Sequence, residues 1–210
     1  MLRDVEGMSR ADAYRLLTQV VVPRPIAWVL TDSGPDAAER WNLAPFSYFT
    51  ALASEPALVG FSVGSGRDGA VKDTLANVLA RPDHTVMVPH RGQLEEVQRT
   101  SEVLPHGRSE LADAGLTAVA WEWPTPRVAG VRVALGCRLE RTVDLGPGQV
   151  LVVARVHRAW LDDAVATEDR PGSQVVDAGR LDPLARLGTG GYAGLGPVLH
   201  PTGDAGWRPT

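Results

Sequence analysis

The chain has 210 residues, enough for one domain with a sizeable core and cramped for two. Hydrophobic residues make up 44% and charged residues 22%, the balance of an ordinary soluble globular protein. Its 21 basic residues are scattered and outnumbered by 25 acidic ones, and the net charge of −4 argues against a nucleic-acid partner.

The first residues, Met1-Leu-Arg-Asp-Val-Glu, hold no apolar run of signal-peptide length. The most apolar early segment, 20–30, is cut by Pro23-Arg24-Pro25 and is too short to span a membrane. A cytoplasmic protein is therefore expected. Ser9 as an N-cap and Asp12 in the first turn predict a short helix, with Tyr14, Leu16 and Leu17 as its apolar face. Residues 26–30 read as a strand and Asp32-Ser-Gly-Pro35 as the turn after it. Further strands are expected over 41–51 and 57–63.

Gly64-Ser-Gly-Arg-Asp-Gly69 reads as a loop, followed by a helix over 74–79 with Asp73 at its N-cap and Pro82 beyond its end. Residues 85–88 predict another strand. The stretch 93–114 is polar and helical in part, broken by Pro105 and Gly107. Strands over 127–137, 138–143 and 149–157 follow, with Leu145-Gly-Pro-Gly148 as a hairpin turn, and the tail from 163 reads as loop. Many strands without steady strand–helix alternation predict a mainly β chain, a barrel with flanking helices, as one domain over 1–210. The lone cysteine, Cys137, excludes an internal disulfide, fits a reducing cytosol, and in its strand reads as a buried thiol.

Two patterns in one loop are decoys. Gly60-Phe-Ser-Val-Gly64 matches the nucleophile elbow G-x-S-x-G, but the helix starts too late for a sharp elbow and the order is not strand–helix–strand. Gly64-Ser-Gly-Arg-Asp-Gly69 matches G-x-G-x-x-G, but the confirming acid after the next strand is replaced by Pro89 and His90. Gly188-Thr-Gly-Gly-Tyr-Ala193 lies too near the end to open such a unit. A glycine-rich loop before a helix N-terminus nevertheless offers backbone N–H groups to a phosphate. Lys72, the only lysine in the chain, stands there with Thr74. A compact ammonium where a guanidinium would not fit is one reading; a solvated helix end is the other.

Pro23-Arg-Pro-Ile-Ala-Trp28, Asn42-Leu-Ala-Pro-Phe-Ser-Tyr-Phe49, Phe61-Ser-Val-Gly64 and Lys72-Asp-Thr74 occur in this order, and Asp182-Pro-Leu-Ala-Arg-Leu-Gly-Thr-Gly-Gly-Tyr192 follows in the C-terminal part. Together they resemble the flavin reductase-like, FMN-binding split-barrel family, which includes flavoredoxin-like proteins and reductase components of two-component monooxygenases. The looser matches Thr100-Ser101 and Gly115-Leu-Thr117 lie between them. The resemblance implies a six-stranded antiparallel Greek-key barrel, a homodimer, and one flavin per subunit near the dimer interface, FMN before FAD.

Carried over residue by residue, the resemblance sets Asn42, Ala44, Ser47, Tyr48 and Phe49 along the isoalloxazine and ribityl chain. Ser62 and Gly64 fall near the ribityl or phosphate, and Lys72 and Thr74 hold the phosphate. Arg24 belongs at the phosphate or at the ring edge, and Arg186 and Tyr192 near the flavin or in the dimer. One departure stands out: where the family strand often ends in Val-Val-Asn, this chain has Met87-Val88-Pro89.

A flavin brings its own chemistry and asks the protein for binding and electrostatics. Hydride transfer from NADH or NADPH is therefore expected without a general base, backbone N–H groups along 42–49 serving as donors to the ring. The acceptor is free flavin or an electron-accepting partner such as a monooxygenase. A flavin-binding electron-transfer protein without nicotinamide activity, and a flavin-free binding module, are the alternatives. His84, His90, His106, His157 and His200 have no spacing suited to zinc and read as structural or surface residues.

Overall fold

The computed structural model describes residues 2–199 apart from 67–68, 106–107 and 189. Helix α1 (Arg10–Val20) begins as expected: Ser9 Oγ accepts the Asp12 N–H at 3.1 Å. Its expected apolar face is not buried. Tyr14 and Leu17 are 61% and 48% exposed, and the side chain the helix buries is Thr18, whose hydroxyl bonds back to Tyr14 O.

After β1 (Arg24–Pro25) come β2 (Ala27–Asp32), β3 (Trp41–Phe46), β4 (Phe49–Ser54) and β5 (Ala57–Gly64), then α2 (Asp73–Ala80) and β6 (Asp83–Met87). A 3-10 turn (Arg91–Gln93), α3 (Leu94–Arg99) and α4 (Glu110–Asp113) fill the polar stretch predicted to be partly helical. The hairpin β7 (Ala118–Trp121)–β8 (Trp123–Val128) precedes two long strands, β9 (Val133–Asp144) and β10 (Gln149–Leu161). The tail is less irregular than its composition suggests: β11 (Ala166–Arg170), β12 (Ser173–Val176), α5 (Ala178–Leu181), β13 (Ala185–Arg186) and β14 (Tyr192–Ala193).

The main sheet is antiparallel throughout, in the order β3-β2-β6-β9-β10-β5-β4. β3 and β5 are first and sixth in that order, which in a flat sheet sets them about 24 Å apart at a strand spacing of about 4.8 Å. Yet the rings of Phe46 on β3 and Phe61 on β5 have centroids 5.4 Å apart. The sheet is rolled into a barrel. It closes where the run predicted as one strand over 41–51 bends at Ser47–Tyr48, pairing first with β2 and then with β5. With that bent run taken as one strand, the expected six-stranded split barrel results.

Side-chain alternation divides the core in two. Inside the barrel pack Ala27, Val29, Phe46, Val59, Phe61, Val63, Val86, Cys137, Val152 and Ala154, with Leu75 and Val78 of α2 closing one mouth. Outside it, Ile26, Trp28, Leu30, Leu43 and Met87 pack against Val97, Leu111, Val128 and Leu184, so α3, α4, the β7–β8 hairpin and the closing segment cover that face. The two strands expected over 127–143 are divided differently: Gly130, at φ +78, makes a turn between β8 and an unbroken β9.

Candidate functional site

The residues singled out by sequence fall into two adjoining groups, one under α2 and one at the bend that closes the barrel. Asn42, Ala44 and Phe46 share the inward face of β3. Asn42 is buried, and its Nδ2 donates to Thr74 Oγ1 at 3.0 Å and to Thr31 Oγ1 at 3.3 Å. Asn77 Nδ2, one turn along α2, donates to Thr31 Oγ1 at 3.0 Å and Ser33 Oγ at 3.1 Å. This polar seam fixes the start of α2 against β2 and β3. Thr74, expected at a phosphate, is only 1% exposed and is tied to Asn42.

Lys72, not Asp73, occupies the N-cap of α2, with extended φ −67 and ψ 145 and no side-chain bond to the helix N-terminus. The two backbone bonds closing the first turn, from Leu75 N and Ala76 N, both end on Lys72 O. The exposed Lys72 ammonium stands 5.9 Å from the Phe46 ring centroid. Carboxylates also adjoin this end: burial pushes the Glu110 carboxyl above its ordinary range, and the negative charges of Asp73 and Glu39 push the same way. Among the described residues Lys72 is the cation at the start of this helix.

The second group surrounds the bend. Ser47 and Phe49 are half-buried and Tyr48 is 37% exposed, its ring stacked on Tyr14 of α1 at 6.4 Å. Arg24 lies beneath, with Cζ 5.9 Å from the Tyr48 ring centroid. Burial raises the Tyr48 phenol above its ordinary range, Tyr14 adds to this, and the Arg24 charge opposes it. Ser62 N donates to Tyr48 O at 2.9 Å, and Ser62 and Gly64 sit on the outer face of β5, opposite Leu151 and Gln149. Ser62 is thus mid-strand, where no nucleophile elbow can form.

The supply of backbone donors is narrower than the sequence suggested. Along the free edge of β3, the Leu43 N–H already donates to Glu110 Oε2 at 3.1 Å, and Pro45 has no N–H to give. Ser109 covers the same edge, its hydroxyl donating to Trp41 O while its own N–H donates to Glu39. Among the described residues neither the Ser47 nor the Tyr48 N–H finds a protein acceptor, so the available donors are concentrated at the bend. Unpaired N–H groups beside an exposed aromatic ring, with cations near the Phe46 and Tyr48 rings, suit a planar, carbonyl-bearing, phosphorylated group such as FMN.

Thr31, Asn77 and Glu110 were not anticipated, and Tyr14 was expected on the apolar face of α1 rather than beside Tyr48. For Asn77 a signal was present, since asparagine inside a helix is unfavourable unless its amide has tertiary work. In the closing segment Arg186 pairs in register with Arg24, its Cζ is 4.3 Å from the Tyr192 ring, and Tyr192 Oη donates to Gln98. Three histidines are accounted for by packing or capping. His84 is fully buried, His157 stacks on Trp123, and His90 Nδ1 accepts the Gly92 N–H; His106 and His200 lie outside the described residues. Cys137 is buried and its thiol is pushed up to about 12, so it stays protonated.

A family model described as flavin reductase like domain matches residues 20–184. An uncharacterized protein of Halalkalibacterium halodurans is 35% identical over 201 residues, covering 92% of each chain. Nitrilotriacetate monooxygenase component B from Bacillus cereus superposes with a TM-score of 0.85 at 28% identity, over 95% of this chain and 98% of that one. Flavoredoxin of Desulfovibrio vulgaris (Miyazaki F) shares the fold, with a TM-score of 0.74 at 16% identity over 97% and 99% of the two chains.

Proposed function

This chain belongs to the flavin reductase-like family, and on that footing we propose that it binds FMN along the bend 46–49 and reduces it with NADH or NADPH. The observation that carries this reading is the pair of unpartnered N–H groups at Ser47 and Tyr48, with Lys72 near the Phe46 ring before them and Arg24 near the Tyr48 ring. Lys72 binds the phosphate, with the uncapped first turn of α2 behind it. Asn42 and Thr74 hold that turn in place through their shared hydrogen bond, and Ala44, Phe49, Ser62 and Gly64 shape the surroundings.

A bound flavin supplies the redox chemistry: its ring accepts a hydride and passes electrons on. The chain's own part is to orient and to stabilise charge. The Ser47 and Tyr48 N–H groups donate to ring carbonyl oxygens, and the exposed part of Tyr48 borders the bound ring. No side-chain base is needed, because the proton and the electron pair arrive together from the nicotinamide. The electrons then go to free flavin or to an accepting protein; FAD is the second choice of flavin.

We further propose that the protein is a homodimer in the cytoplasm. β4 is an edge strand, exposed from Thr50 to Ser54 and without a charged residue, and Leu52 is exposed on it. Natural edges of this kind are covered or charged, and a second copy is the cover we propose. Among the described residues no helix is long and apolar enough to cross a membrane.

The test is an absorbance spectrum of the purified protein, alone and after incubation with FMN and desalting, followed by NADH and NADPH oxidation with bound flavin. Retained flavin bands and turnover above the enzyme-free rate are expected. Retained flavin without turnover removes the reductase activity and leaves an electron-transfer protein; no binding at all removes the flavin reading.

A further inference from the structure

Arg24 is 6% exposed, and all of its hydrogen bonds go to neutral acceptors. Nη1 donates to Thr18 O at 2.7 Å and Val21 O at 2.9 Å, and Nη2 to Leu187 O at 3.2 Å, while the buried Nε has no acceptor among the described residues. Two of these carbonyls end α1, and a helix C-terminus carries only about half an elementary negative charge against the full charge of a guanidinium. Buried cations are ordinarily paired with carboxylates. Among the described residues Arg24 forms no ion pair.

The neighbouring strand adds to the imbalance. Arg186 stands directly opposite Arg24 in the β1–β13 ladder, so both side chains leave the same face. Arg186 donates to Gly190 O at 3.1 Å, lies over Tyr192, and likewise has no ion-pair partner among the described residues. Like charges directly across a ladder repel. A helix cap alone would need only hydrogen-bond donors, which a neutral amide provides. It accounts neither for the full buried charge nor for a second one opposite it. Arg24 borders Tyr48, the exposed ring of the bend, and Arg186 reaches that charge across the ladder.

This step rests on the flavin reading above. A hydride carries two electrons and one proton, so a ring that accepts it gains one negative charge, and the donor leaves as the oxidised nicotinamide. We propose that Arg24, reinforced by Arg186, is a built-in positive charge that stabilises the reduced state of a flavin held at Tyr48 and so sets how readily that flavin takes up electrons. Arg24 acts through space as a positioning residue for charge; its buried guanidinium need not touch the ring.

The experiment is a spectroscopic redox titration of the FMN-loaded protein and of Arg24→Gln, Arg24→Lys and Arg186→Gln. In Arg24→Gln, which keeps amide donors and loses the charge, the reduced-to-oxidised ratio at a fixed potential falls about tenfold, a midpoint about 30 mV more negative for a two-electron couple. Arg24→Lys keeps the charge and stays closer to wild type, and Arg186→Gln moves in the direction of Arg24→Gln by less. An unchanged midpoint in folded, flavin-loaded Arg24→Gln overturns the proposal. If that variant does not fold, Arg186→Gln, which is outside the helix cap, decides in the same way. A flavin-free readout is the ionisation of Tyr48, which moves to higher pH in Arg24→Gln if the charge reaches that surface. Wild-type protein that binds no flavin defeats both readings; bound flavin with an unaltered midpoint defeats this one alone.

Discussion

The Asn42 side-chain amide donates to Thr74 Oγ1 at 3.0 Å, and this single bond joins the inward face of β3 to the first turn of the helix that carries Lys72. Asn42→Ala leaves Thr74 and Thr31 short of a buried partner, which costs about 1–3 kcal/mol. The melting temperature falls by about 2–4 °C per kcal/mol in a chain of this size. Because the helix end loosens, FMN affinity falls with it. Differential scanning calorimetry with and without FMN checks both; a variant with wild-type melting in each state shows that the seam does not hold the helix.

Lys72 is exposed and makes no hydrogen bond to the helix it caps, so Lys72→Ala leaves the fold intact. A hydrogen bond to a charged group contributes about 1.5–3 kcal/mol, so FMN affinity falls about ten- to a hundredfold. Riboflavin, which lacks the phosphate, is hardly affected. Fluorescence titration with the two ligands makes the comparison, and equal weakening of both moves the phosphate elsewhere.

Strands and motif order were legible because they are written in short-range terms: alternation, turn residues and a set of quoted segments. The bend at Ser47–Tyr48 was not, since nothing local in Phe-Ser-Tyr-Phe distinguishes one strand from two that pair with opposite ends of a sheet. Closure is a long-range event. The site was readable to the same extent. Lys72 stood out as the lone lysine, but the capture of the Leu43 N–H by Glu110 joins residues 67 apart and leaves no periodic trace. The exposed Tyr14 face of α1 failed for a related reason: periodicity reports that a face is apolar, not what covers it.

Gly136 sits under the Trp123 ring, where an added Cβ would meet Cδ2 at 2.7 Å. Both the ring and the strand beneath it are packed, with Trp123 Nε1 bonded to His84 O and the ring stacked on His157. Gly136→Ala therefore forces the hairpin away from β9 and costs about 1–3 kcal/mol. A fall in the denaturant midpoint and a change in tryptophan emission are expected. An alanine variant as stable as wild type means the hairpin slides without penalty.

His84 gives the protein a built-in sensitivity to acid. The ring is fully buried in the barrel, Nδ1 bonds to Pro82 O at 2.9 Å, and Nε2 has no partner among the described residues. Burial lowers its pKa to about 4, overcoming the opposing effects of the Pro82 carbonyl and Asp83. The unfolded chain takes up a proton near pH 6.5 that the folded chain refuses until about pH 4. The neutral-ring stability is therefore fully present above about pH 6.5 and declines as the pH falls toward 4, by up to about 3 kcal/mol. Below that point both states are protonated and this contribution changes no further. Urea unfolding at pH 7.5, 5.5 and 4.5 should show the decline in wild type and a flatter profile in His84→Phe, which keeps an aromatic ring beside Phe61. The same slope in both proteins assigns the acid sensitivity to other groups.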